Sequence, residues 1–460
     1  MNHVKIFGTA KKDVYHLEDF RQKLLKIAVP ITIQNLISVG LNLVDNLMIG
    51  QLGATAIASV GLVNQVMFIL LLVTFGASSG AGVFISQYWG VRDTKSIEKT
   101  ITHMLFVTFG AAIVFFTILF FFPQQTLSLF SKDISVIKLG TSYSTIVAFT
   151  VFFTSFSFVI AFALRTVECA KIPMYISLVA LGINTLGNYL LIFGIGPFPK
   201  LGVVGAAIAT LLSRSIEFLF YVFIVYRRRT PVWLSMRSFF KFDRFFFAKM
   251  MKIASPVIAN EFMWSLGMAV YSLVFARVGT AAIATRNIVS TIDSFGFVFF
   301  GGIGSAAVVI VGSELGRKSF ERAFKSAKRL LKITLVISVL AGLAIIVLSR
   351  IIIKFYNIDD LIRSTVLTSI LIMGAALPIK MLNAVNLVGI LRSGGDTRTV
   401  FYLEIISLWG IGVPLVILSG LILKWSVPVI YLMMLPEELF KMLIGGLRFR
   451  SRKWMKNVIE

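Results

Sequence analysis

A handful of ionisable and amide side chains lie inside long apolar runs of this chain, where each needs a cavity, a partner or a proton. At mid-bilayer such a group costs about 2.5–3.5 kcal/mol on insertion scales. Asp45, in LNLVDNLMIG, is the sharpest case, because no basic residue stands one turn away. Desolvation raises the pKa of a buried carboxylate, so this position suits a group that binds and releases a proton, or one that holds a cation with neutral oxygens. Asn184 and Asn188, in INTLGNY, are four residues apart and share one helical face. Their amides either offer carbonyl oxygens to a hard cation or bind two helices together. Thr210, in GAAIATLLS, adds a hydroxyl, unless it bonds back to its own helix. Later in the chain, Glu261 (NEFMWSLG), Asp293 (TIDSFGF), Lys380 (LPIKMLNAVN) and Asn383 form a possible second polar site; a structural ion pair is the alternative. Arg214 and Glu217, three apart, read as a pair within one helix, and Glu437 and Glu438 after Pro436 resemble that arrangement.

The elements that must position these groups follow from composition. Of 460 residues, 57% are hydrophobic and 14% charged, and the net charge is +24. A soluble domain is about 25% charged, so the chain belongs in a bilayer. The basic excess does not form the hydrated basic face of a nucleic-acid binder, because the charges fall between runs of Leu, Ile, Val and Phe. One cysteine, Cys169, and three histidines give neither a disulfide framework nor a zinc-ligand pattern. No cofactor is expected, and His103 is expected to be a satisfied polar residue.

A helix needs about 20 apolar residues to cross a bilayer. Twelve stretches qualify: 24–49, 56–88, 101–122, 136–164, 173–196, 202–226, 251–276, 282–312, 330–350, 364–391, 400–423 and 426–447. Residues 1–23 are polar and do not read as a removable signal peptide. Of the 45 Lys and Arg residues, 33 fall on the side holding both termini and 9 on the other, which puts both termini in the cytoplasm and the protein, multi-pass, in the cytoplasmic membrane. The chain also repeats itself. KIAVP from Lys26 recurs as KIASP from Lys252, and GATAIA from Gly53 as GTAAIA from Gly279, both at an offset of 226. The same offset carries Gly76 onto Gly302 and Gly90 onto Gly316, while LRTVECAK from Leu164 echoes LRSGGDTR from Leu391 one residue further on. The expected organisation is an all-α integral membrane protein: a cytoplasmic segment 1–23, an N-lobe 24–226, a basic linker 227–250, a C-lobe 251–447 and a basic tail 448–460. Two six-helix lobes in a parallel repeat suit alternating access. GSELGRKS from Gly312 has the wrong spacing for a phosphate-binding loop, so the expected energy source is an ion gradient.

Pro30, Asp45, Gly50, Gly53 and Ala54, followed by AIASVGL, INTLGNYLLIFG, GVVGAAIAT, LRSGGDTR and RFRSRKWMK, resemble the multidrug and toxic compound extrusion (MATE) family of the MOP flippase superfamily. The resemblance runs from about residue 20 to 456. It implies a V-shaped, monomeric twelve-helix transporter exporting amphiphilic or cationic drug-like compounds in exchange for protons, or sodium. Asp45 matches the family's coupling carboxylate, and Asn184, Asn188 and Thr210 match its N-lobe cation ligands, so any sodium would sit at those four residues. The chain has Asn188 where some members have Asp, and Trp264 and Asn383 where one branch has its C-lobe Glu and Asp; Glu261 stands nearly one turn before Trp264. These departures point to the DinF-like branch and toward protons. A flippase for lipid-linked oligosaccharides or lipids is the alternative reading, although away from the span ends only Arg214, Lys380 and Lys441 stand available to bind a pyrophosphate. Membrane lipids are expected partners; nucleic acid is not.

Overall fold

The computed structural model describes residues 4–228, 230–235, 241–353 and 358–460. Residues 1–3 of the N-terminal segment, and Arg229 and 236–240 of the linker, lie outside the described residues. The chain is all-helical, with no strand among the described residues. In order, the helices are α1 (Val4–Gly50), α2 (Ala54–Gly90), α3 (Thr94–Phe121), α4 (Pro123–Ser128), α5 (Ile134–Val147), α6 (Thr150–Thr166), α7 (Lys171–Phe193) and α8 (Val203–Arg228). The second half holds α9 (Arg244–Val278), α10 (Thr280–Gly316), α11 (Phe320–Ile352), α12 (Asp360–Ala384), α13 (Thr397–Ile405), α14 (Val413–Ile417), α15 (Val427–Leu432) and α16 (Leu435–Arg450). Among the described residues nine helices are long and apolar enough to cross a membrane, or ten if α5 and α6 are one span, and Phe300–Gly316 is a shorter apolar helix.

The apolar stretches differ from straight cylinders in three places. The stretch 136–164 bends by 53° between α5 and α6. There the Thr150 hydroxyl donates to the Val147 carbonyl at 2.6 Å, taking an acceptor that the helix backbone would use. The stretch 426–447 divides into α15 and α16 at Met433–Met434, just before Pro436, which stands in the first turn of α16 and cannot donate to a preceding turn. Finally, α12, α13 and α14 each run on into a wider π-helical segment, Val385–Leu391, Ile406–Gly412 and Leu418–Ile422. The N-terminal segment is continuous with the first span, since α1 starts at Val4.

The repeat is written in the turns. Gly53 and Gly279, 226 residues apart, precede α2 and α10 with φ of 101° and 147°, a region that favours glycine. Arg92 and Lys318, at the same offset, both take left-handed backbone, as do Glu168 and Gly395 one residue out of step. The chain forms two compact units, one of Ile33–Ser265 and one of the first helix up to Thr32 with Leu266–Glu460. Both α1 and α9 therefore contribute a first half to one unit and a second half to the other. Small residues explain why. In the first unit a Cβ on Gly76 would lie 2.8 Å from the backbone of Ile258, and one on Gly80 would strike Ala254, so α2 and α9 meet backbone to backbone. In the second unit a Cβ on Gly302 would strike Thr32 and come within 2.7 Å of the Ala28 carbonyl, which places α10 on the first half of α1. Gly76 maps onto Gly302 and Ile258 onto Thr32 at the common offset of 226.

Candidate functional site

The four polar residues singled out in the first half come together. Asp45 stands near the end of α1, Asn184 and Asn188 share a face of α7, and Thr210 lies on α8. The Asn188 amide donates to Asp45 Oδ1 at 2.6 Å and to Asn184 Oδ1 at 3.3 Å, and the Asn184 amide reaches Thr210 Oγ1 at 3.5 Å. Both asparagines are buried, Asn188 at 1% exposure, and its Oδ1 has no hydrogen-bond partner. Helix packing holds this geometry. Gly187 faces Ala209, where a Cβ would sit 3.0 Å from the alanine methyl, and a Cβ on Gly205 would strike the Leu191 carbonyl. Only small residues allow α7 and α8 this approach, and it brings the amides to the Thr210 hydroxyl. Tyr143, buried on α5, lies against Thr210 and Asp45, a neighbour that its sequence context did not single out.

One turn along α8 from Thr210, Arg214 forms the expected intrahelical pair with Glu217, Nη1 to Oε2 at 2.7 Å, and the carboxylate is buried. A carboxylate faced by an amide N–H can hold or give up a proton without rebuilding its surroundings. With the proton on Asp45, the hydrogen bond from Asn188 weakens or the amide turns its oxygen inward. As a sodium site the same residues supply Asp45, Asn188 Oδ1, Asn184 Oδ1 and Thr210 Oγ1. However, Asn184 Oδ1 accepts from Asn188, Thr210 Oγ1 accepts from Asn184, and an amide nitrogen faces the carboxylate, so a hard cation would require both amides to turn.

Of the four residues singled out in the second half, Asp293, Lys380 and Asn383 lie in one compact unit, where Glu438 stands beside both Lys380 and Asn383. Lys380 and Asp293 pair at 2.7 Å, whereas Asn383 donates to the backbone carbonyl and Oε2 of Glu438, both at 2.8 Å. Glu261 is buried on α9 but belongs to the other compact unit. The hub of this half is Lys441 on α16, buried among Glu437 at 2.6 Å, Glu404 at 3.2 Å and Glu438 at 3.5 Å. Tyr271 donates to the far oxygen of Glu437 at 2.6 Å. Tyr271 stands 226 residues after Asp45, so the repeat puts a phenol where the first half has its carboxylate. Sequence reading noted Lys441 only as a basic residue within a span; the four-residue spacing to Glu437 was the signal available. His103 is satisfied as expected, with Nδ1 2.7 Å from the Lys99 carbonyl and Nε2 accepting from the Asp243 N–H. Among the described residues no three His, Cys, Asp or Glu side chains are grouped to hold a metal ion.

A profile of the MatE family matches residues 30–190 and 256–418, one match in each half. The uncharacterized transporter YisQ of Bacillus subtilis is 24% identical over 438 residues, covering 94% of this chain and 95% of its own. The probable multidrug resistance protein NorM of Thermotoga maritima is 22% identical, covering 96% and 94%. Among solved structures, a MOP superfamily transporter from Pyrococcus furiosus superposes with a TM-score of 0.86 at 18% identity, over 96% of this chain and 97% of that one.

Proposed function

The chain belongs to the MatE family, and from that membership we propose that it exports amphiphilic and cationic organic compounds in exchange for protons by alternating access, with Asp45 as the coupling carboxylate. The observation that carries the reading is the Asp45 carboxylate held by Asn188 at 2.6 Å within the cluster of Asn184, Thr210 and Tyr143. A proton arriving from the outer face neutralises Asp45, which removes the cost of its charge in an apolar surrounding and releases its hold on Asn188. The N-lobe then rearranges and drug leaves outward. Loss of the proton to the cytoplasm resets the cycle. Relatives named as multidrug resistance proteins support the substrate class, and the 33 to 9 division of basic residues supports cytoplasmic termini in the plasma membrane. A membrane potential of 100 mV adds about 2.3 kcal/mol per charge moved inward, about fiftyfold in accumulation.

The test is ethidium transport by the purified chain in proteoliposomes under an imposed proton or sodium gradient. The proton gradient should drive transport and the sodium gradient should not, and Asp45→Asn should abolish the driven component. Undiminished proton-driven transport by Asp45→Asn would remove Asp45 from the coupling role.

A further inference from the structure

Three helices of the Ile33–Ser265 unit each carry a polar stripe on one face, with the same spacing. On α1 the stripe is Gln34, Ser38 and Asp45; on α7 it is Ser177, Asn184 and Asn188; on α8 it is Thr210, Arg214, Glu217 and Tyr221. Intervals of three, four and seven residues keep each set on one side of its helix, and eleven residues of helix span about 16 Å, half the bilayer core. The stripes are joined to one another. Asp45, Asn188, Asn184 and Thr210 form the chain of hydrogen bonds already described; Ser213 of α8 donates to the Ala180 carbonyl of α7 at 2.8 Å; Gln34 of α1 donates to Ser177 of α7 at 2.8 Å, beside Tyr221. Arg165, at the end of α6, lies close to Tyr221 and Glu217. The seam thus leads from Asp45 toward the side of the membrane that holds the termini.

Orphaned atoms mark its course. Asn188 Oδ1 and Gln34 Oε1 have no hydrogen-bond partner, in side chains exposed by 1% and 6%, Arg165 Nε is likewise unsatisfied, and the buried Tyr221 hydroxyl has Ser177 as its polar neighbour. A buried polar atom without a partner costs about 1–3 kcal/mol, and water with two to four polar neighbours is its usual remedy. The charges balance as well. The ionisable groups facing the seam are Asp45 from α1, Tyr143 from α5, Arg165 from α6, and Arg214, Glu217 and Tyr221 from α8, while α7 adds only uncharged side chains. Two guanidinium groups match two carboxylates, so the seam is neutral when empty and takes one positive charge with one proton.

We propose that this seam is the route by which the proton leaves Asp45, with Glu217 as the relay carboxylate and Tyr221 and Gln34 lining its exit. The inference rests on the proton-coupling reading of Asp45. The Asp45 carboxyl gives up the proton through water to the Glu217 carboxylate, which passes it to bulk water on the side of the termini. Arg214 and Arg165 stay charged throughout, and Arg214 keeps its ion pair with Glu217 between transfers. Glu217 and Tyr221 are positioning and relay groups; neither is assigned a contact with drug.

The experiment measures ethidium-driven proton flux with entrapped pyranine, and ethidium–ethidium counterflow in the absence of any gradient, in proteoliposomes of the full chain. Counterflow cycles only drug-loaded states and so needs no proton release. Glu217→Gln and Tyr221→Phe should each lower proton flux by about tenfold or more while counterflow stays within about twofold of wild type, and Glu217→Asp should recover flux. Tyr221→Phe removes one hydroxyl and leaves both carboxylates and both guanidinium groups in place, so it tests the route even if Glu217→Gln, which strips Arg214 of its partner, fails to fold. Wild-type flux in Tyr221→Phe, or a parallel fall in flux and counterflow, would overturn the relay. Asp45→Asn in the same assay separates the two claims. Flux lost there but retained in the Glu217 and Tyr221 variants overturns the relay alone, and flux retained in Asp45→Asn overturns the coupling role on which it rests.

Discussion

Asn188 uses both amide hydrogens on oxygens, Asp45 Oδ1 and Asn184 Oδ1, and leaves its own carbonyl unpaired. That arrangement fixes the polarity of the site, because it presents donors to an anion at Asp45 and weakens when the anion takes a proton. The second half of the chain settles its charges differently. Lys441 is 6% exposed and is the cation shared by Glu404, Glu437 and Glu438. Removing one member of a buried pair leaves an uncompensated charge, and Lys441→Met leaves three carboxylates without theirs, for an expected loss of about 3–5 kcal/mol. Thermal unfolding of the purified protein followed by tryptophan fluorescence checks this, and adding Glu437→Gln should return part of the loss. A Lys441→Met variant melting with wild type would mean that the cluster is not held by that ammonium. Asp45, Asn184, Asn188 and Thr210 were readable in the sequence because ionisable and amide groups are rare within apolar spans and because a four-residue spacing fixes a face. Tyr143, Ser177 and Tyr221 were not, since hydroxyls and phenols are common in such helices and only packing decides which face meets which; Gln34, an amide in the first span, was legible by the same rule as the asparagines and was passed over.

Helix ends and helix contacts carry their own consequences. Asp243 accepts from the N–H groups of Phe245 and Phe246 at the start of α9 and from Lys99 of α3 at 2.6 Å, and its own N–H donates to His103. The Lys99 ammonium, followed by the Phe246 N–H, holds its carboxyl at about 2, below the ordinary 3.8. A depressed pKa means that the ionised form stabilises the fold, fully above the ordinary value and less as pH falls through the folded one. Asp243→Ala should therefore melt below wild type at pH 6, and the gap should close as pH approaches 2. A gap independent of pH would assign the effect to something other than this carboxylate. Between helices, Gly80→Val drives a side chain into the Ala254 backbone and should cost about 1–3 kcal/mol or more. Gly110→Ala on α3 meets nothing within 4 Å and should be neutral or stabilising, by up to about 1 kcal/mol. Equal melting temperatures for the two variants would contradict the backbone contact between α2 and α9. The glycine spacing announced close packing, yet which helix lies opposite was not legible in α2 alone. Packing shows it, and the repeat then returns the same pairing in the second unit, where Thr32 takes the place of Ile258. The bend between α5 and α6 and the π segments escaped hydropathy because they change the path of a helix without changing its apolarity.

Across the whole molecule, one helical pattern written twice at an offset of 226 residues has diverged between its copies. Position 45 is a carboxylate in the first copy, and its counterpart, Tyr271, is a phenol committed to Glu437. The carboxylate at the first-half position lies beside an amide oxygen without a partner, while Asp293, Glu437 and Glu438 of the second half are tied to lysines, an asparagine and a phenol. Most of the basic residues fall between the apolar runs or near their ends, so the net charge of +24 says little about substrate. The central claim is that proton and drug compete through Asp45, and linkage makes that claim directly measurable. Ethidium added to the purified protein in weakly buffered detergent solution, at a pH where Asp45 is protonated, should release on the order of one proton per transporter, read by a pH indicator. The account predicts that release in the wild type and none in Asp45→Asn; equal release from both, with ethidium bound by both, would contradict it.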